Sequence, residues 1–484
     1  MTTGRAAMRL IRYRLGLFLF TILFRGLDDL VPYATGLIMK VFFDALTGDG
    51  QAGVNPWTLV ALFVVVELGD CSVLVSSRVV WARWRYAIST LLRKNLMTAI
   101  FKVQNPSRIS SASGEVTNRF RDDVQSVVSY LEQYIHMWGN LIFAVMAITT
   151  MARISVSVTL ITVIPGILIV TIVNVARRYI RKYRTAQRIA TERATNFINE
   201  MFQSVLAIKV STMESNVVNH FRQLNDARRK STLADNLFNQ LLFSINTNIG
   251  HIATGAILIL IAEKMKSGAF TVGDFALFTT YVGQVARSGS LIGSTMAQHR
   301  RAEVSLERME FTVEGKSKSL LVEHSPVYLR GALPPVPVPT KTDADRLNEL
   351  RVTGLTHIYE GSTNGIHAVD LRIDAGAFVV VTGRIGSGKT TLLHTLLGVL
   401  PKQAGEIRWN GEVVDDPKSF FVPPRCAYTP QVPRLFSETL RENILMGVPD
   451  DPNTINRAIR LGVMEDDLPT LENDLETVVG PRGV

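Results

Sequence analysis

Residues Gly383-Arg384-Ile385-Gly386-Ser387-Gly388-Lys389-Thr390-Thr391 fit the spacing G-x-x-x-x-G-K-[ST]. The residue types suit a polyphosphate. Glycines let backbone N–H groups close around the anion, the lysine reaches the outer phosphates, and the hydroxyl after it can join Mg²⁺. The flanking sequence supplies the context. Phe378-Val379-Val380-Val381 is predicted as a short strand, and Thr391 to Leu397 carries apolar residues at helical spacing. Strand, loop and helix in that order place a helix N-terminus behind the anion.

At 484 residues the chain is too long for one compact domain. It is 47% hydrophobic with a net charge of +10. A basic excess suits nucleic acid or a membrane surface. No nucleic-acid motif is present, and the Lys and Arg residues cluster beside apolar segments, so a lipid bilayer is the expected partner and nucleic acid is not. The two cysteines, Cys71 and Cys426, lie in unrelated contexts and indicate neither a disulfide framework nor a metal site.

Arg5, Arg9, Arg12 and Arg14 precede an apolar run from Leu15 to Phe24 that resumes at Leu30. No small-residue cleavage site follows, so the run is read as one long membrane helix to Leu46 rather than a signal peptide. Five more spans are predicted, at about 57–79, 135–152, 155–176, 238–262 and 272–295, each near the ~20 residues that cross a bilayer. The link 47–56 has no Lys or Arg, whereas the two long connections are rich in both. That asymmetry puts the N-terminus and both long connections in the cytoplasm. These connections contain few helix breakers and are predicted to be helices that run far out of the bilayer, with tips near 106–113 and 203–212. Charged residues also fall inside spans. Arg25 suits an intrahelical ion pair with Asp28 and Asp29, while Glu67 and Asp70 have no basic neighbour on their own helix and are candidates for a polar pathway. A Pro-rich stretch, Leu333-Pro334-Pro335-Val336-Pro337-Val338-Pro339, marks a linker. The expected organisation is 1–313 as a six-helix transmembrane domain, 314–349 as linker, and 350–484 as an α/β P-loop domain.

Further motifs flank the phosphate loop: Leu355-Thr356-His357-Ile358-Tyr359 before it, then Gly405-Glu406-Ile407-Arg408-Trp409-Asn410-Gly411, Tyr428-Thr429-Pro430-Gln431 and Leu440-Arg441-Glu442-Asn443-Ile444. Here the chain resembles the nucleotide-binding domain of ATP-binding cassette (ABC) transporters. Its first part resembles their six-helix exporters, through Gly114-Glu115-Val116 with Asn118-Arg119 and Asp122-Asp123, Ile208-Lys209-Val210 ahead of Phe221, and Gly268-Ala269-Phe270-Thr271-Val272-Gly273-Asp274. The resemblance implies ATP and Mg²⁺ as cofactors. Tyr359 would stack on adenine. Gly383, Arg384, Gly386, Ser387, Gly388, Lys389, Thr390 and Thr391 would hold the phosphates. Thr390 and Gln431 would reach Mg²⁺. His394 is expected to be an ordinary helix-surface residue.

Val479-Gly480-Pro481-Arg482-Gly483-Val484 ends the sequence where the family continues to an LSGGQ-like signature, an acidic strand and a switch histidine. A nucleotide-binding domain without them, and hence without an assignable catalytic residue, is expected to hold ATP without hydrolysing it. Whether such a chain counts as an ABC-type transport ATPase stays open, as does its origin in a fragment, an interrupted gene or an incomplete gene model. Two functions are compatible with the residues. One is an exporter half, dimeric with itself or with a second half-transporter, multi-pass in the cell membrane with its nucleotide domain cytoplasmic, moving an unidentified substrate. The other is a non-hydrolysing membrane partner of a complete homologue.

Overall fold

The computed structural model describes residues 1–48, 55–101, 113–312, 318–331, 333–335, 340–432 and 434–480. They form two compact units, the first from Met1–Ala99 and Gly114–Val327, the second built on Tyr328–Val484.

The first unit is helical. A short amphipathic helix α1 (Thr3–Tyr13) breaks at Arg14 into α2 (Leu15–Thr47), followed by α3 (Pro56–Phe101). Then come α4 (Ser113–Asn118), one π-turn at Arg119–Asp123, and α5 (Val124–Ile154). The remaining helices are α6 (Val156–Gln203), α7 (Val205–Val210), α8 (Glu214–Lys266), α9 (Val272–Thr312) and α10 (Lys318–Leu321). All six predicted spans lie on long helices, and Leu15 to Leu46 is one helix as expected. Helices α3, α6 and α8 have 46, 48 and 53 residues. At about 1.5 Å per residue they are roughly 70–80 Å long, more than twice the ~30 Å hydrocarbon core, so much of each must lie outside a bilayer. Among the described residues, Pro56–Phe101 and Glu115–Ile154 are long and apolar enough to cross a membrane. The first expected tip, 106–113, lies outside the described residues except for Ser113, where α4 begins. The second is α7, whose Val205, Leu206 and Val210 are exposed.

Small residues set how closely the helices meet. Gly36 on α2 faces the Tyr281 ring of α9, where a Cβ would sit 2.3 Å from Cε1. The Tyr281 hydroxyl donates to the Tyr33 carbonyl at 2.7 Å, and the two rings stack at 5.5 Å. Around this contact Phe143, Met151, Ile261, Phe270, Leu277 and Phe278 are buried. Such close-packed apolar contact is the main stabilising term of the unit. Near the start of α9, Lys40 is ion-paired with both Asp44 and Asp274, and Asp44 also accepts from the Gly273 N–H at 3.1 Å. The charged motif before α5 is structural. Buried Arg119 pairs with Glu115 and Asp123 one turn away on either side, and Asp123 accepts from Ser305 of α9 at 2.9 Å. Helices α6 and α8 lie side by side through Tyr183 against Phe238 and Phe197 stacked on Phe221.

The start of the expected linker is held to the helices. Leu321 and Val322 are fully buried. Asn95 of α3 donates to the carbonyls of Leu321 at 3.0 Å and Glu323 at 2.8 Å. Tyr13 donates to the Ser325 carbonyl at 2.8 Å, Lys94 donates to that of Pro326 at 2.6 Å, and His324 Nε2 meets the Arg9 carbonyl at 2.8 Å. Residues 318–327 therefore form a strap across α1 and α3.

The second unit has a four-stranded antiparallel sheet, ordered β2-β1-β3-β4, from β1 (Glu349–Ile358), β2 (Gly365–Asp374), β3 (Ala404–Trp409) and β4 (Glu412–Val413). Asn410-Gly411 turns β3 into β4 with both residues at positive φ, as a two-residue hairpin demands. Helix α11 (Lys389–Leu396) buries Leu392 and Leu396 against Leu350, Val352, Ile407 and Trp409 of the sheet. The chain continues through α12 (Pro417–Phe420), β5 (Glu438–Thr439), α13 (Leu440–Leu445), α14 (Pro452–Leu461) and β6 (Val478–Val479), with β5 pairing β6.

One sequence expectation is overturned. Phe378-Val379-Val380-Val381 is not a strand, and Phe378 is 92% exposed. A strand exists through ladder hydrogen bonds to a neighbour, and among the described residues no segment pairs with this one. Apolar β-branched composition alone does not order it.

Candidate functional site

The loop 383–388 curls tightly before α11. Gly383, Gly386 and Gly388 all have positive φ. At Gly388 the need for glycine is twofold. Its φ is +91°, and a Cβ would come within 3.0 Å of the Ile366 side chain. Lys389 folds back into this curl, its Nζ donating to the carbonyls of Gly383 at 2.9 Å and Arg384 at 2.8 Å. The ammonium thus sits inside the loop, at the N-terminus of α11 where backbone N–H groups have no helical partner. Positive charge, open N–H groups and a helix dipole converge on one spot, which is what an anion needs.

Two tyrosines are joined to the same helix. Tyr359 follows β1, and its Oη lies 3.2 Å from Thr391 Oγ1. Its ring is 39% exposed and meets the buried His357 edge-on, centroids 5.0 Å apart. His357 Nδ1 is 2.8 Å from the Pro401 carbonyl. A carbonyl only accepts, so Nδ1 carries the proton. One turn further along α11, His394 Nε2 is 3.1 Å from Tyr428 Oη, and their rings meet edge-on. His394, expected as an ordinary surface residue, instead ties the loop helix to the Tyr428–Gln431 segment. Sequence reading missed this because a lone His on a helix carries no signal of a partner 34 positions away.

The loop residues and Tyr359 are brought together through Thr391. Gln431 is exposed and, among the described residues, has no hydrogen-bond partner, so no bond joins it to Thr390. The segment after it is firmly held. Asn443 of α13 accepts from the Phe436 N–H at 2.8 Å and donates to the carbonyls of Phe436 and Thr439 at 3.1 and 3.0 Å. Thr439 and Glu442 form a reciprocal cap at the start of α13. The backbone N–H and hydroxyl of Thr439 hold the Glu442 carboxyl below its usual range.

In the first unit Arg25 pairs with Asp28 at 2.9 Å, as expected. Asp29 does not join them in an ion pair. It accepts from Asn140 of α5 at 3.1 Å, packed against Gly139. Arg25 also reaches His136 at 3.0 Å, and Glu67 accepts from Thr35 at 3.3 Å.

Comparison with known families agrees with this division. A family model described as the ABC transporter transmembrane region matches residues 15–288, and one described as ABC transporter matches residues 366–478. The chain belongs to the ABC transporter family. It is a membrane protein with a cytoplasmic ABC domain, and such domains bind ATP with Mg²⁺. Among its relatives, ABC transporter C family member 13 of Oryza sativa is 22% identical over 480 residues, covering 95% of this chain and 29% of the relative. The probable multidrug resistance ABC transporter ATP-binding/permease protein YheI of Bacillus subtilis is 25% identical over 405 residues, covering 81% of this chain and 65% of the relative. The putative multidrug export ATP-binding/permease protein YgaD of the same bacterium is 22% identical over 463 residues, covering 94% and 77%. The chain therefore spans under a third of the rice relative's length.

Proposed function

We propose that the chain is an exporter half that binds Mg·ATP at residues 383–391 and uses it to drive an unidentified substrate across a membrane. The curl of the loop around Lys389 Nζ carries this reading. The Lys389 ammonium, held by the Gly383 and Arg384 carbonyls, would supply positive charge to the phosphates of a bound ATP. Open backbone N–H groups at the start of α11 would meet the phosphates, Thr390 and Gln431 would hold Mg²⁺, and Thr391, 3.2 Å from the Tyr359 hydroxyl, would keep that ring near the adenine. Charge neutralisation and positioning are the chemistry such a site supplies. Helices α2, α3, α5, α6, α8 and α9 are the six spans, and a second half-transporter, identical or not, completes the working dimer.

The experiment is ATP binding by the purified chain in nanodiscs, with Lys389→Ala alongside. Loss of the ammonium removes a charge-assisted contact of about 1.5–3 kcal/mol, so affinity should fall by roughly tenfold to a hundredfold. Equal affinity in the two proteins would sink the assignment of this loop.

A further inference from the structure

Behind Tyr359 stands a histidine that the phosphate loop does not use. His357, near the end of β1, is 5% exposed. Its Nδ1–H donates to the Pro401 carbonyl at 2.8 Å, and its Nε2 is buried without a hydrogen-bond partner among the described residues. A buried nitrogen left unpaired is destabilising, so an apolar residue would suit simple packing better. The imidazole supplies something else, a ring held at a fixed angle. It meets the Tyr359 ring edge-on, at 87° with centroids 5.0 Å apart.

The hold on the imidazole leads back to the phosphate-loop helix. The Leu400 N–H donates to the carbonyl of His394 in α11 at 3.0 Å, which fixes the chain just before Pro401. Gln403 clamps the backbone just before Tyr359. Its side chain accepts from the Ile358 N–H and donates to the Ile358 carbonyl, both at 2.9 Å. With Thr391 Oγ1 3.2 Å from the hydroxyl, Tyr359 is braced at its backbone, its ring and its hydroxyl by α11 and the segment around it.

We propose that His357 is a positioning residue for the adenine of bound nucleotide, acting through Tyr359. The inference rests on the reading of Tyr359 as the stacking partner of the base. Ordering a free side chain at a binding site opposes binding, and a ring already braced loses less on contact. The Pro401 carbonyl holds the imidazole, the imidazole holds the phenol ring, and that ring meets the base at a set distance from the phosphates at Lys389. The triphosphate gains nothing from this brace.

The test measures the affinity of the full chain in nanodiscs, with Mg²⁺, for ATP and for inorganic tripolyphosphate. The ratio of the two reports the contribution of the nucleoside. His357→Leu keeps apolar bulk without a ring. It should lower the ratio roughly twofold to tenfold, the range of an aromatic pair, and leave tripolyphosphate affinity unchanged. His357→Phe keeps an aromatic edge and should retain most of the ratio. In a Tyr359→Ala background, His357→Leu should change nothing further, because the two side chains act on one contact. An unchanged ratio in His357→Leu overturns the proposal. So does a parallel fall for tripolyphosphate, which marks a purely structural residue, and so does a fall that persists without the tyrosine. Equal wild-type affinities for ATP and tripolyphosphate would sink the stacking role of Tyr359, and this inference with it. Where the wild type prefers ATP, the outcome bears on His357 alone. If the Leu variant does not fold, His357→Met reads the same ratio.

Discussion

Lys40 of α2 is ion-paired to Asp274 of α9, 234 positions later, and to Asp44 one turn along its own helix. Both carboxylates are nearly buried, with side chains 13% and 8% exposed for Asp44 and Asp274. Removing the cation leaves two acidic groups facing each other, and breaking a buried pair from one side costs about 3 kcal/mol or more. Lys40→Met should therefore lower the thermal midpoint clearly. Adding Asp274→Asn should recover part of the loss, since the two changes act on one interaction. Full additivity of the two losses would show that the pair contributes nothing.

Gly36 and Gly26 lie on the same helix in opposite situations. A Cβ at Gly36 meets the Tyr281 ring at 2.3 Å, whereas a Cβ at Gly26 meets nothing within 4 Å. Gly36→Ala should destabilise by roughly 1–3 kcal/mol through overpacking. Gly26→Ala should be neutral or stabilising by up to about 1 kcal/mol, because alanine is the better helix former. Thermal unfolding in detergent separates the two signs.

Tyr359 allows the stacking and hydrogen-bonding parts of the site to be told apart. Tyr359→Phe removes only the contact of Oη with Thr391 at 3.2 Å. Tyr359→Ala removes the ring as well, and an aromatic pair is worth about 0.5–1.5 kcal/mol beyond its area. ATP affinity should fall little in the first variant and severalfold to about tenfold in the second. Equal effects would mean that the ring does not meet the base.

Acid should loosen the second unit through its caps. Glu442 is held low by Thr439, Asp451 by Thr454, and Asp345 by Thr342 with Arg425. A carboxyl whose folded pKa is depressed stabilises the fold above its unfolded pKa, and that stability is lost as pH falls through the folded value. Stability of this unit should thus be flat from neutral pH down to the ordinary carboxylate range near pH 4, then fall below it. Circular dichroism melts of the full chain across that range would show a constant second transition if the caps were irrelevant. Thr439→Ala should cost about 1 kcal/mol at neutral pH by the same contact.

How far the sequence could be read depended on whether a signal was local. The helices were legible because an apolar face repeats over tens of residues, as in Leu15 to Leu46. The phosphate loop was legible because its glycines and Lys389 need only one another. Phe378 to Val381 misled for the complementary reason, since a strand needs a partner that no local composition can guarantee. Asp29 with Asn140, and His394 with Tyr428, bind across 111 and 34 positions through residues that are common anywhere, so nothing in the one-dimensional pattern marked them. The roles of Thr390 and Gln431 toward Mg²⁺ rest on the family likeness, because no hydrogen bond yet joins these two side chains.

The strap at 318–327 sets where the chain leaves the first unit. With Leu321 and Val322 buried and Asn95 donating to the carbonyls of Leu321 and Glu323, the helical unit keeps hold of the chain well past the end of α9, as far as about Val327. Asn95→Ala would take the donor from the Leu321 and Glu323 carbonyls and loosen the strap from α3, at a cost to the first unit. The loosening should appear as faster amide hydrogen exchange across residues 320–327 while ATP affinity stays the same.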